Sequence, residues 1–122
     1  IKTMNTPEEN KQLNVLLVDQ TGQIMEFLEK LRNADKCCVD QVESTEDAVS
    51  RLEEEVYDII IADGTIPGKR GIKLLKKAQY VQPDATAVLV TPGIDKEAEK
   101  EARETGFEYC PELFMLEELM MF

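Results

Sequence analysis

The sequence has no tryptophan and no histidine, only three cysteines, and aromatic residues make up just 6% of it. With no histidine and no CxxC pair, a zinc-type metal site has no ligand set. Cys37 and Cys38 are adjacent and poorly placed to bridge each other, and Cys110 lies far along the chain. An odd count in that pattern reads as reduced, buried thiols in a cytosolic protein. No run approaches the roughly 18 apolar residues of a membrane span, and no signal-peptide pattern is present. Internal repeats and low-complexity segments are absent too. Positive charge is scarce: 14 Lys and Arg stand against 25 Asp and Glu, for a formal net charge of -11. Such a chain repels nucleic-acid phosphate, which argues against direct DNA or RNA contact. An acidic surface suits basic protein partners, or simply solubility.

What is present is an ordinary globular composition, 43% hydrophobic and 32% charged over 122 residues. That length supports one domain with one core. Residues 1–12 lack any apolar period and read as a polar tail, with the domain proper at 13–122. "NVLLVD" (14–19) is a short apolar run ending in an acid. From Gln23 to Ala34, Ile24, Leu28 and Leu31 fall at helical spacing, with Phe27 and Ala34 widening the stripe. "CCVDQV" (37–42) is a moderately polar strand, as suits a sheet edge. "STEDAVSRLEEE" (44–55) opens with a cap signal and carries Ala48, Val49 and Leu52 on one helical face. "YDIIIAD" (57–63), "TAVLVT" (86–91) and "FEYC" (107–110) read as strands. "GIKLLKKAQYV" (71–81) and "DKEAEKEARET" (95–105) read as helices, the second closed by Gly106. "FMLEELMMF" (114–122) begins a last helix whose apolar end either packs on the sheet or continues beyond these residues; the second is favoured.

Five strands alternating with helices through short connections imply a parallel sheet covered on both faces, an α/β fold. In such sheets functional groups gather at the carboxyl ends of the strands. Asp19, Asp63 and Thr91 end the first, third and fourth strands. One acid at a strand tip is ordinary, because strand ends are wet and Asp favours turns. Three polar groups at neighbouring tips point to a site.

With "NVLLVD", "EDAVSRLEEEVYDIIIAD", "IPGKRGIKLLKK", "AVLVT" and "EARETGFEYCPELFMLEEL" in place, the chain resembles a receiver domain of two-component signalling from residue 14 to about 121. The resemblance implies a flavodoxin-like, three-layer α/β/α fold with a five-stranded parallel sheet of order 2-1-3-4-5, and signal acceptance rather than enzyme activity. It makes Asp63 the phosphoacceptor, and Asp19, Asp63 and the Thr65 carbonyl Mg²⁺ ligands. Thr91 and Tyr109 become the hydroxyl–aromatic switch pair. It implies a cytoplasmic protein whose partners are a histidine kinase or an output domain. Homodimerisation would use the face made by the fourth helix, fifth strand and fifth helix.

The resemblance fails at four positions. The second acid after strand one is Gln20, a weaker ligand for hard Mg²⁺. The family lysine aligns with Glu112, and a slip of register would put Cys110 there instead; Phe114 and "LEEL" favour Glu112. The proline after that lysine is Leu113, so the Glu112–Leu113 peptide is expected to be trans. The residue after Thr91 is Pro92, with no N–H to offer a phosphoryl oxygen. The expectation is a degenerate receiver that phosphorylates poorly and signals by protein contact. Asp19, Asp63 and Glu112 would then form an acidic, cation-responsive pocket. A working Mg²⁺-dependent receiver with Lys69 or Arg70 as substitute cation is the alternative. A flavin carrier is a remote one, because "DQTGQ" (19–23) echoes a phosphate-binding loop but no aromatic pair is evident.

Overall fold

A computed structural model of the chain describes residues 12–33 and 37–120, with the side chains of 31–33 set aside. The polar tail (apart from Gln12), the Leu31 side chain, Ala34 and the terminal residues 121–122 lie outside the described part. The elements run β1 (Leu13–Val18), α1 (Gln23–Asn33), β2 (Cys37–Val42), α2 (Thr45–Glu54) and β3 (Ile59–Asp63). A 3-10 turn (Pro67–Lys69) leads into α3 (Arg70–Val81), followed by β4 (Thr86–Val90), α4 (Lys96–Thr105), β5 (Glu108–Cys110) and α5 (Leu113–Met120). All strand pairs are parallel, in the order β2-β1-β3-β4-β5. The polar strand β2 is indeed an edge.

Strand periodicity divides the core in two. Leu16, Val18, Ile60, Ala62, Ala87 and Leu89 face α2, α3 and α4, where Ala48, Leu52, Leu74, Leu75, Ala78, Ala98 and Ala102 complete one cluster. Their neighbours Val15, Leu17, Ile59, Ile61, Val88 and Val90 face α1 and α5, through Ile24, Leu28, Leu116 and Met120. Successive strand side chains alternate between faces, so a sheet covered twice needs unbroken apolar strands. Leu116 and Met120 are buried, so α5 packs back on the sheet. The same alternation corrects the reading of the cysteines: all three are free, but only Cys37 and Cys110 are buried, while Cys38 points to solvent.

Local signals set the boundaries. Ser44 caps α2 by accepting from the Asp47 N–H at 3.1 Å. Asp95 caps α4 by accepting from Glu97 and Ala98. Gly106 ends α4 at φ 95, a left-handed conformation that glycine adopts without steric cost. One contact was invisible in the sequence. The Gln82 side chain accepts from the Tyr57 N–H and donates to the Leu52 and Glu55 carbonyls, tying the end of α2 to the approach to β3.

Candidate functional site

Among the described residues, the buried side chains in the polar and charged class are Asp19, Asp63 and Thr91. These are the three strand-tip residues. Register brings them together: Val18 lies opposite Ala62 and Asp63 opposite Val90, so Asp19, Asp63 and Thr91 stand side by side past the ends of β1, β3 and β4.

Burying a carboxylate is costly unless donors surround it. Both acids obtain donors from the same local pattern, Asp-x-Thr. Asp19 Oδ1 accepts from the Thr21 N–H (3.2 Å), the Thr21 hydroxyl (3.4 Å) and the Gly22 N–H (3.0 Å). Its Oδ2 accepts from the Met25 N–H at 2.9 Å, so Asp19 also anchors the start of α1. Asp63 Oδ1 accepts from the Thr65 N–H (2.9 Å) and hydroxyl (2.7 Å). Its Oδ2 receives only a long bond, 3.3 Å, from the Gln20 N–H. Thr65 thus supports Asp63 through its N–H and hydroxyl, in a local turn that Asp favours. Sequence reasoning assigned Thr65 only a carbonyl role and gave Thr21 none. The repeated "DQT" and "DGT" were the signal.

Thr91 is held from the other side. Its hydroxyl donates to the Gly93 carbonyl at 2.7 Å and lies 2.9 Å from the Tyr109 hydroxyl. Either hydroxyl can donate in that pair, and the Tyr109 hydroxyl also lies 3.3 Å from the Asp95 carbonyl as a donor. The Tyr109 oxygen in turn accepts from the Asp95 N–H at 2.8 Å. The Thr91 methyl leans on Gly64, where any Cβ would stand 2.7 Å from it; glycine is required by that approach.

Beside Asp63 opens a cavity of about 150 Å³, lined by Thr21, Gln23, Ile24, Thr65, Val90, Thr91, Pro92 and Leu113 with Asp63 itself. No Lys, Arg or Glu is among them. The acidic triad expected from sequence is therefore corrected. Glu112 is exposed, and it is Leu113 that faces the cavity. The Glu112 carbonyl accepts from the Met115 N–H at 3.0 Å as α5 begins. Cys110 is buried in the sheet opposite Val90, and burial followed by the charge of Glu108 pushes its thiol up to about 11. Neither position supplies charge to Asp63. The substitute cations lie elsewhere: Lys69 pairs with Glu97 at 3.4 Å on the surface, and Arg70 borders a separate groove with Val49 and Leu74. No peptide bond among the described residues is cis, including Glu112–Leu113.

The donor set does not fit a firmly held Mg²⁺. Among the described residues no three acids or cysteines are grouped to hold a metal ion. Both oxygens of Asp19 are already engaged, the Gln20 side chain is exposed, and the cavity walls are largely apolar. Mg²⁺ demands near-octahedral oxygen ligation and keeps its waters.

A family model described as "Response regulator receiver domain" matches residues 15–110, most of the chain. The chain belongs to this family. It is 27% identical over 108 residues to the DNA-binding transcriptional regulator NtrC of Proteus hauseri. That match covers 88% of this chain but 23% of the relative, so the chain spans about a quarter of that protein's length. A response regulator from Thermotoga maritima shares the fold at TM-score 0.75 and 19% identity, covering 88% of this chain and 94% of that one. A response regulator protein from Burkholderia pseudomallei, with a phosphorylated aspartic acid, a calcium ion and citrate, matches at TM-score 0.70 and 20% identity over 81% of this chain and 59% of that one. The flavodoxin-like α/β receiver fold of two-component signalling is thereby shown. Among the described residues no helix is long and apolar enough to cross a membrane.

Proposed function

We propose that this receiver domain passes its signal by protein contact and forms little or no stable aspartyl phosphate at Asp63. One observation carries the reading: among the described residues no cation lines the cavity beside Asp63, and Leu113 and Pro92 occupy its wall. Transfer of a phosphoryl group to a carboxylate needs its negative charge neutralised and its oxygens held by fixed donors. Here the lysine is replaced, Pro92 has no N–H, and the Thr91 hydroxyl is turned to Gly93 and Tyr109. A charge-assisted hydrogen bond contributes about 1.5–3 kcal/mol, so the loss of two such partners makes the phosphorylated state much less stable. Mg²⁺ is held weakly at most.

The partners proposed are a histidine kinase or an output domain, met in the cytoplasm, and the domain is not itself an enzyme. Its net charge of -11 assigns any DNA contact to another part of a longer protein or to a partner. Homodimerisation, if it occurs, uses the α4–β5–α5 face, where Phe114 is exposed. A flavin carrier is disfavoured, because a cavity of about 150 Å³ is smaller than the roughly 300–1,000 Å³ of usual small-molecule pockets. The test is intact mass after incubation with acetyl phosphate and Mg²⁺. The expected mass is unchanged. A stoichiometric gain of one phosphoryl group, abolished in Asp63→Asn, overturns the proposal.

A further inference from the structure

We infer that the cavity beside Asp63 is a socket for a primary alkylammonium group, the end of a lysine side chain presented by a partner protein. The assignment rests on the proposal that Asp63 remains an unmodified carboxylate. It starts from the unequal use of the two Asp63 oxygens. Oδ1 is filled by the Thr65 N–H and hydroxyl at 2.9 and 2.7 Å, whereas Oδ2 has one long bond of 3.3 Å. A carboxylate oxygen carries more than one acceptor site, and a charged donor forms the stronger bond. Oδ2 is therefore the less engaged oxygen of the one carboxylate lining the cavity, where Ile24, Val90, Pro92 and Leu113 supply most of the wall beside the polar Thr21, Gln23, Thr65 and Thr91.

An anionic floor under apolar walls selects a ligand of matching build: an aliphatic stem with a single charged tip. The alternatives fit less well. A guanidinium binds carboxylates best as a two-pronged fork, and here only one oxygen is open. A hydrated divalent ion favours several carboxylate ligands, and among the described residues no three acids are grouped to supply them. An anionic ligand is repelled by Asp63 and by the chain's charge of -11, which also draws basic partners toward the surface. A lysine ammonium is compact, offers three rotatable donors, and needs only one acceptor to anchor it. A partner protein supplies in trans the charge that the domain does not place here itself.

The test is an NMR titration of the ¹⁵N-labelled whole chain in buffer free of phosphodonor, at matched ionic strength. The probes are n-butylammonium, Nα-acetyl-lysine N-methylamide, n-butanol and Mg²⁺. Both ammonium probes are expected to shift the Gln20, Thr65 and Leu113 amides saturably. Asp63→Asn, kept folded as its own spectrum verifies, should weaken that binding at least about tenfold. Leu113→Lys should abolish it by placing an ammonium in the socket internally. If Leu113→Lys does not fold, Asp63→Asn decides alone.

Absence of saturable shifts overturns the socket. So do equal shifts with n-butanol, which would mean an apolar cavity only, or shifts with Mg²⁺ alone. Binding of n-butylammonium without the lysine amide overturns the partner-lysine assignment in favour of a free amine. The two proposals fail separately. A mass gain from acetyl phosphate with ammonium binding intact sinks only the functional reading. An unchanged mass with no ammonium binding sinks only the socket.

Discussion

Replacing Asp63 with Asn should raise the stability of the fold in metal-free buffer, and replacing Asp19 with Asn should lower it. Val18 pairs with Ala62, so Asp19 and Asp63 follow side by side from strands about 5 Å apart. Two unit charges at that distance repel by about 3 kcal/mol at an effective dielectric constant of about 20. Either substitution removes that repulsion. The hydrogen-bond cost differs. Asn at 63 keeps an oxygen for the Thr65 N–H and hydroxyl, weakens both bonds, and sets its amide against the long bond from Gln20. At about 1 kcal/mol or less each, the loss is about 2 kcal/mol. Asn at 19 weakens three bonds at Oδ1 and sets its amide N–H groups against the Met25 N–H at the start of α1, a loss of about 4 kcal/mol. The net effects are about +1 kcal/mol for Asp63→Asn and about -1 kcal/mol for Asp19→Asn. For a domain of this size each corresponds to a Tm change of about 4 °C. Thermal unfolding followed by far-UV circular dichroism in EDTA measures both. A lower Tm for Asp63→Asn would refute the reasoning, because donors to Asp63 would then outweigh the repulsion between the two acids.

Glu112→Lys should leave Tm within about 1 °C of wild type with or without Mg²⁺, since position 112 is exposed; a shift of several degrees would put its side chain back at the cavity. With Ellman's reagent on the folded protein, Cys38 alone among the three thiols should react fast, and Cys37 and Cys110 only on unfolding. The Cys110 thiol is pushed from 9.0 to about 11 on folding, first by burial and then by Glu108. The folded state thus favours the protonated form, so its contribution is complete below about pH 9 and is lost as pH rises toward 11. The loss is on the order of 2 kcal/mol in urea titrations, and Cys110→Ala should flatten that slope. Tyr109→Phe should speed amide exchange at Asp95, whose N–H loses its acceptor; unchanged protection there would mean that the Tyr109 hydroxyl does not hold the loop after β4.

The fold was legible because both sheet faces are covered. A run such as Ile59–Ile60–Ile61 has no other use in a chain of this length, and alternation with Ser44-capped and Gly106-capped helices leaves few topologies. Asp19, Asp63 and Thr91 could be read from their positions at strand ends alone. Glu112 could not be placed. Its direction depends on where α5 starts, and a one-residue difference in the first turn exchanges Glu112 for Leu113 at the cavity wall. Cys38 was misread for a similar reason: neighbouring residues of a strand face opposite ways, and composition does not say which one is inside. Gln82 had no local signal, since its three partners come from residues 52–57, brought near only by packing.

Two acids at neighbouring strand tips pose one problem, and the chain meets it with donors of its own. Asp19 is surrounded by four donors, three of them backbone N–H groups, and becomes part of the start of α1. Asp63 is given three, and the weakest of them is the sole donor to Oδ2 among the described residues. That inequality has a functional consequence. A site saturated with internal donors would be inert, and one with a built-in lysine would have Asp63 already paired. Asp63 is neither: its turn holds it in place, while one oxygen remains available under apolar walls. On the reading proposed above, that residual charge is what the domain offers a partner. Beside it runs a Thr91–Tyr109–Asp95 chain of hydrogen bonds. The Thr91 hydroxyl is held by the Gly93 carbonyl and the Tyr109 hydroxyl, which ties the loop after β4 to β5.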